Sequence, residues 1–210
     1  MESKSNWHVI MGGPSSGKKS VIKHLKALGF PVINEVARGV IKKKIRQGKT
    51  PEEIKEERRR DEEGFQLSLL PIKAKLEARI PKEKTIFWNR AMPDSIAYLR
   101  NCGGDPEEAL ALCERNLYRK VFLFEQLSEF TPDYARTETP DEAQQISQLL
   151  REAYEQLGYE VISVPEMSPI PQLSIAKRLE FILTQVYEGG DYCINLVGFL
   201  REGIKLPEIF

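Results

Sequence analysis

The residues best suited to chemistry lie in a glycine-rich stretch near the N-terminus, "GGPSSGKKS". Gly12, Gly17 and Lys18 match the phosphate-loop pattern G-x-x-x-x-G-K-[ST], also called Walker A. In such a loop, successive backbone N–H groups point into one concavity at a helix N-terminus, and the lysine reaches the phosphates. The predicted nucleotide-binding residues are therefore Gly12, Gly13, Pro14, Ser15, Ser16, Gly17, Lys18, Lys19 and Ser20.

One position of this pattern is altered. The residue after the lysine normally carries a hydroxyl that binds Mg²⁺, but here it is Lys19. Ser20 does not simply replace it, because one step along a helix turns the side chain by about 100°. Lys19 then either supplies positive charge in place of the metal or points into solvent.

A second departure lies at the end of the apolar run "TIFWN". An aspartate is expected there to hold Mg²⁺, but the run ends in Asn89. Asparagine offers a carbonyl oxygen without the charge that a divalent ion prefers. Both departures fall on the metal position and spare the phosphate loop. We therefore expect ATP or GTP binding with a doubtful role for Mg²⁺, and we assign no protein residue as a metal ligand.

Composition excludes several classes of function. The chain of 210 residues carries 31 Lys plus Arg and 31 Asp plus Glu, so its neutral balance argues against a nucleic-acid partner. The chain has three cysteines, at Cys102, Cys113 and Cys193. Their odd number and the lack of C-x-x-C spacing favour reduced thiols over a disulfide framework or a zinc site. No signal peptide and no apolar run long enough to span a bilayer is visible. We expect a cytoplasmic protein without a membrane partner.

Strand-like and helical patterns alternate along the chain and predict a parallel sheet with helices on both faces. The predicted strands are His8 to Met11, "FPVINE", "KTIFWN", "KVFLFE" and "YEVISVP". The predicted helices are Ser20 to Leu28, Val36 to Gln47, a long helix from "TPEE" to Arg79, "DPEEALALCERN", "TPDEAQQISQLLREAYEQLG" and Leu173 to Tyr187. We expect one nucleotide-binding domain at residues 1–187. Residues 188–210 form an apolar tail of unknown role that could support self-association.

An ordered set of motifs resembles a known family. "GGPSSGK", "INEVAR", "NRAMPDSIAYLR", "YRKVFLF" and "DYARTETPDEAQQISQLLREAYEQLGYEVISVP" are similar to the AAA-type P-loop ATP/GTP-binding family that includes the ribosylnicotinamide kinase domain of NadR proteins. The resemblance covers about residues 7–187. It implies a P-loop NTPase fold of the kinase type, with a short lid and a small-molecule acceptor that is a nucleoside or bears a phosphate.

The resemblance also implies roles for single residues. Glu35 and Arg38 would face the acceptor pocket, or else form a salt bridge at a helix start. Arg136 would be the lid arginine that acts with Lys18 in catalysis by neutralising charge on the transferred phosphoryl group, or else a solvated charge. Arg90 would reach phosphate or pair with a carboxylate. Asp94, in "MPD", is predicted to cap the helix "SIAYLR" rather than to act in catalysis.

These observations leave three hypotheses. The first is a small P-loop kinase or NTPase that transfers a γ-phosphoryl group, and the second is a nucleotide-binding protein with weak or no turnover. The third is a structural protein with a vestigial loop that associates through its tail. Lys18 and its glycines favour the first two, and Lys19 with Asn89 favours the second over the first.

Overall fold

Five short apolar runs pair into one parallel sheet in the computed structural model, which describes residues 5–113, 117–128 and 139–187. The strands are β1 (Trp7–Met11), β2 (Val32–Ile33), β3 (Ile86–Asn89), β4 (Lys120–Phe124) and β5 (Val161–Val164). Their order across the sheet is β2-β3-β1-β4-β5, and every described pair is parallel. The predicted parallel sheet is confirmed, although "FPVINE" contributes only two residues to it.

Eight helices connect or follow the strands within the described residues. They are α1 (Lys18–Ala27), α2 (Val36–Arg46), α3 (Pro51–Arg60), α4 (Glu62–Glu77), α5 (Asp94–Asn101), α6 (Glu107–Leu112), α7 (Pro140–Gln156) and α8 (Pro171–Val186). Helices α3 and α7 begin at capping boxes, in which Thr50 and Thr139 each exchange hydrogen bonds with a glutamate three residues later. A proline follows each threonine, where its missing N–H does no harm.

The long helix predicted from "TPEE" to Arg79 was wrong. Asp61 interrupts it with φ −149° and ψ 67°, which is not a helical conformation. Its carboxylate accepts a hydrogen bond from the backbone N–H of Gly64 and so caps the start of α4. Aspartate favours such a cap because its short side chain competes with the helix for backbone hydrogen bonds.

Helices cover both faces of the sheet because strand side chains alternate in direction. Trp7, Val9 and Met11 join an apolar cluster with residues of α4, α5 and α7. Ile10 and Phe122 join a second cluster with residues of α1 and α8. All five side chains are buried, so the sheet lies between two apolar layers.

The carboxyl ends of the parallel strands meet at one edge of the sheet, where residues 12–17 follow β1 and residues 90–93 follow β3. Strand β1 lies between β3 and β4 in the sheet. The segment that follows β1 and the segment that follows β3 therefore leave this edge in different directions. Ligands of open parallel sheets bind at such a point. The predicted lid with Arg136, and the tail at 188–210, lie outside the described residues. No described helix is long and apolar enough to cross a bilayer.

Candidate functional site

The loop between β1 and α1 has the backbone that its glycines permit. Gly12 and Gly17 have φ values of 147° and 78°, and Ser15 has φ 58°, which is uncommon for a residue with a side chain. A Cβ atom at Gly12 would lie 2.5 Å from the carbonyl oxygen of Phe124. The neighbouring strand therefore leaves no room for a side chain at this position.

Lys18, the first residue of α1, folds back over the loop. Its Nζ donates to the carbonyl oxygens of Gly12 (2.8 Å) and Gly13 (2.7 Å) and to Oγ of Ser16 (2.7 Å). The ammonium is thus held among the loop peptides, where a phosphate-binding lysine is expected. Lys19 is exposed, which fits the solvent-directed alternative for this residue.

Arg90, directly after β3, connects the loop to the carboxylates of Glu35 and Asp94. Its Nη2 donates to the carbonyl oxygen of Gly12 (3.1 Å), and its Nη1 donates to Oδ1 of Asp94 (3.1 Å). Its Nε lies 3.3 Å from Oε1 of Glu35. Arg90 also has φ 67°, a conformation that residues with a side chain rarely adopt. Of its two predicted roles, the structure shows pairing with carboxylates.

Glu35 immediately precedes α2 and accepts a hydrogen bond of 3.0 Å from Nε of Arg38. The salt bridge at the helix start is therefore present, and Arg90 links it to the phosphate loop. Burial alone raises the pKa of the Glu35 carboxyl, but Arg90, Arg38 and Lys18 outweigh burial and lower its pKa below the usual value. Glu35 is thus a partly buried carboxylate that two arginines hold beside the loop.

The capping role predicted for Asp94 was wrong. Pro93 occupies the N-cap position, and Asp94 is the first residue of α5, with 1% exposure. Its carboxylate accepts from Arg90, from the N–H of Ala91 (2.9 Å) and from the hydroxyl of Tyr154 (2.7 Å). Asp94 therefore fixes the turn that carries Arg90.

Two contributors on α7 were missed by sequence reasoning. Oγ of Ser147 accepts the N–H of Gly13 at 3.1 Å, and Tyr154 binds Asp94. They lie seven residues apart and so face the same side of the helix. The apolar pattern of α7 predicted a helix, but it carries no signal for the partners of these hydroxyls.

Lys73 on α4 was also missed, because in the sequence it reads as an ordinary helix lysine. It is 7% exposed and donates to the carbonyl oxygen of Ala91 (3.0 Å) and to Oγ of Ser95 (2.6 Å). Burial lowers its pKa, while the charge of Asp94 opposes that effect. Lys73 therefore supports the same turn from the side of α4.

Neither residue at the two expected metal positions carries a charged oxygen in its side chain. Lys19 offers no oxygen, and Asn89 offers at most an uncharged one. The nearby carboxylates of Glu35 and Asp94 both form ion pairs with Arg90. Within the described ranges, no group of three or more His, Cys, Asp or Glu could hold a metal ion.

The sequence matches the family model described as AAA domain over residues 7–169. The chain belongs to this AAA domain family. The predicted P-loop assignment is thereby confirmed, together with the kinase-like P-loop fold. Such a fold implies nucleotide binding. The specific relation to NadR proteins stays a prediction. A comparison with curated proteins finds no match.

Solved structures of deoxyadenosine kinase from M. mycoides are similar in fold. The structure with bound dATP has a TM-score of 0.58 at 13% identity, covering 86% of this chain and 98% of that one. The structure with products dCMP and dCDP has a TM-score of 0.57 at 12% identity, covering 86% and 97%. At this identity the likeness shows the fold alone.

Proposed function

We propose that the protein binds ATP or GTP with the phosphates in the loop at residues 12–18, and a nucleoside-type acceptor beside Glu35, Arg38 and Arg90. We assign it weak or no turnover. One observation carries the proposal: Arg90 donates a hydrogen bond to the phosphate loop and forms an ion pair with Glu35 on the acceptor side at the same time. That single side chain connects the proposed triphosphate side of the site, at Gly12, to the proposed acceptor side, at Glu35.

The charges around this link favour binding over a purely structural role. A buried ion pair is a weak source of stability, because desolvation offsets much of its attraction. Glu35, Arg90 and Asp94 nevertheless form such a network at the carboxyl edge of the sheet, beside Lys18. Strained backbone at Ser15 and Arg90 lies in the same place, and such strain concentrates at functional sites.

Weak turnover is proposed because of the metal positions. In kinases, Mg²⁺ bridges the β- and γ-phosphates and offsets their charge during transfer. Here Lys19 and Asn89 supply no charged oxygen, so the protein contributes little to holding such an ion. Lys18 and Arg90 supply side-chain cations at the loop, which support binding of the ground state.

The alternative is an active kinase for a nucleoside-type acceptor, including ribosylnicotinamide. Glu35 favours it, because its carboxylate lies beside the loop, 3.3 Å from Nε of Arg90. Such a carboxylate can accept a hydrogen bond from an acceptor hydroxyl and so orient it toward the loop. Arg136, outside the described residues, would then supply charge to the transferred group.

Calorimetry with ATP and with GTP, each in Mg²⁺ and in EDTA, tests the proposal. We expect binding in both solutions by the wild-type chain and much weaker binding by Lys18→Ala. A second assay measures transfer of labelled γ-phosphate to deoxyadenosine, deoxycytidine and ribosylnicotinamide. Transfer near background supports the binding protein, and rapid transfer supports the kinase. If neither nucleotide binds, both functions fail.

A further inference from the structure

Arg178 on α8 contacts the phosphate loop although only 2% of it is exposed. Its Nη1 donates to the carbonyl oxygen of Ser16 (2.8 Å), and its Nε donates to that of Pro165 (2.7 Å). Its Nη2 lies 3.5 Å from the carbonyl oxygen of Glu125, and the guanidinium lies 5.2 Å from the ring centroid of Phe124. One side chain thus joins the segments that follow β1, β4 and β5.

This guanidinium is charged and buried, and no carboxylate among the described residues is bonded to it. In the part of the chain that the structure describes, its hydrogen bonds go to backbone carbonyls. Burial lowers its pKa, and the charges of Glu166 and Glu125 oppose that effect. Keeping such a cation is energetically unfavourable unless its hydrogen bonds are well made. Its position therefore calls for a reason beyond packing.

The bond to Ser16 fixes the orientation of the next amide. A trans peptide unit is planar, and its C=O and N–H point in opposite directions. Because the carbonyl of Ser16 points toward Arg178, the N–H of Gly17 points away from it. That N–H belongs to the series that forms the anion-binding concavity of a phosphate loop.

The same guanidinium also occupies the space beside Gly17. A Cβ atom at residue 17 would lie 2.9 Å from Nη1 of Arg178, and Gly17 has φ 78°. The positive φ favours glycine here, and a Cβ atom would also force Nη1 of Arg178 to move. Arg178 therefore packs against the loop although it follows Ser16 by 162 positions in the sequence.

The geometry points to Arg178 as a positioning residue for triphosphate binding, which holds the Ser16–Gly17 peptide with its N–H toward the phosphates. This inference rests on the proposed function, since it requires a triphosphate in the loop. Lysine cannot fully replace Arg178, because one ammonium does not reproduce a planar fork of donors across carbonyls from separate segments.

Full-length Arg178→Gln and Arg178→Lys test the inference by calorimetry with ATP and GTP. We expect Arg178→Gln to weaken binding by about tenfold or more, since it removes charge-assisted hydrogen bonds, with Arg178→Lys between it and wild type. Arg151→Gln is the matched control. Arg151 on α7 bonds Ser163 and pairs with Glu155, away from the loop carbonyls. It should bind within about twofold of wild type.

A second measurement separates positioning from general destabilisation. In protein labelled with ¹⁵N-glycine, ATP should shift the amide signal of Gly17 strongly in wild type and weakly in Arg178→Lys, while exposed Gly48 stays unchanged in both. This comparison decides the matter if Arg178→Gln does not fold. Equal affinities and equal Gly17 shifts in wild type and Arg178→Lys would overturn the inference while leaving the proposed function intact. Absence of binding by wild type would overturn both.

Discussion

Arg90 and Gly12 are joined by a hydrogen bond of 3.1 Å from Nη2 to the carbonyl oxygen, which ties the end of β3 to the phosphate loop. Nζ of Lys18 donates to the same oxygen at 2.8 Å. Two cations therefore converge on one peptide oxygen, and Glu35 lies 3.3 Å from Nε of Arg90. Cations from the start of α1 and from the end of β3 therefore lie at the same point of the loop.

Replacing Lys18 tests the contribution of this convergence to binding. Lys18→Ala should weaken ATP or GTP binding by at least about tenfold, because a charge-assisted hydrogen bond contributes roughly 1.5–3 kcal/mol. Calorimetry measures the change. Lys23→Ala, at an exposed position of the same helix, should bind as wild type does. Equal affinity of Lys18→Ala and wild type would show that the loop does not hold the phosphates.

The hydroxyl of Tyr154 should stabilise the turn that carries Arg90. Tyr154→Phe leaves Asp94 with one donor fewer in a buried place, which should lower the free energy of unfolding by about 1–3 kcal/mol. Urea denaturation measures the loss. A double-mutant cycle with Asp94→Asn should show coupling on the order of 1 kcal/mol. A loss below about 0.5 kcal/mol, typical of surface changes, would contradict this role.

The folding stability should fall below neutral pH because of His8. Burial, followed by the charges of Arg119 and Lys120, lowers the pKa of His8 from 6.5 to about 4. Between these values the unfolded chain takes up a proton that the folded protein excludes, so stability is lost as the pH falls through this window. From pH 7 to pH 5 the loss should be about 2 kcal/mol for His8 alone.

Urea denaturation at pH 7 and pH 5 measures this dependence. His8→Gln should show a smaller loss than wild type between the two conditions. Leu150→Val alters a buried side chain in the apolar cluster on the other face of the sheet, without removing a titrating group. It should lower stability by the same amount at both pH values. An unchanged pH dependence in His8→Gln would place the sensitivity elsewhere.

Sequence patterns predicted the sheet and most helices because their signals are local. Apolar runs mark the buried strands, and glycines mark the phosphate loop. The division at Asp61 was missed because "EERRRDEE" has the charge pattern of a continuous solvated helix. Whether Asp61 continues a helix or caps the next one depends on its side-chain geometry, which the composition of the run does not reveal.

The site was predictable in part. Lys18 was singled out from the loop motif, and Glu35 and Arg90 from the family resemblance. In the structure Lys18 and Arg90 both bond Gly12, and Glu35 pairs with Arg90, while their roles stay predictions. Arg178 and Ser147 were missed, because their hydrogen bonds reach backbone atoms far away in sequence. A side chain that binds a distant peptide leaves no spacing pattern in the chain.

Lys19 and Asn89 are the two departures from the P-loop pattern at the expected metal positions. Because neither supplies a charged oxygen, the affinity of the wild-type chain for a triphosphate should depend little on Mg²⁺. The double variant Lys19→Ser with Asn89→Asp restores a hydroxyl and a carboxylate, and its affinity should become sensitive to Mg²⁺. Calorimetry in Mg²⁺ and in EDTA measures both chains.

Turnover distinguishes the two functions in the same samples. Phosphoryl transfer requires that the negative charge on the β- and γ-phosphate oxygens is offset, normally by a Mg²⁺ ion that bridges them. The ammonium group of the exposed Lys19 does not bridge these oxygens as an octahedral metal ion does. Transfer by wild type should therefore be near background, and the double variant should exceed it where Glu35 and Arg90 keep the acceptor side intact. The matched control Lys23→Ser removes an exposed lysine of α1 without touching a metal position, and it should behave as wild type. Rapid Mg²⁺-dependent transfer by the unmodified chain would show that the ion is held by other groups, and the binding-protein assignment would be wrong.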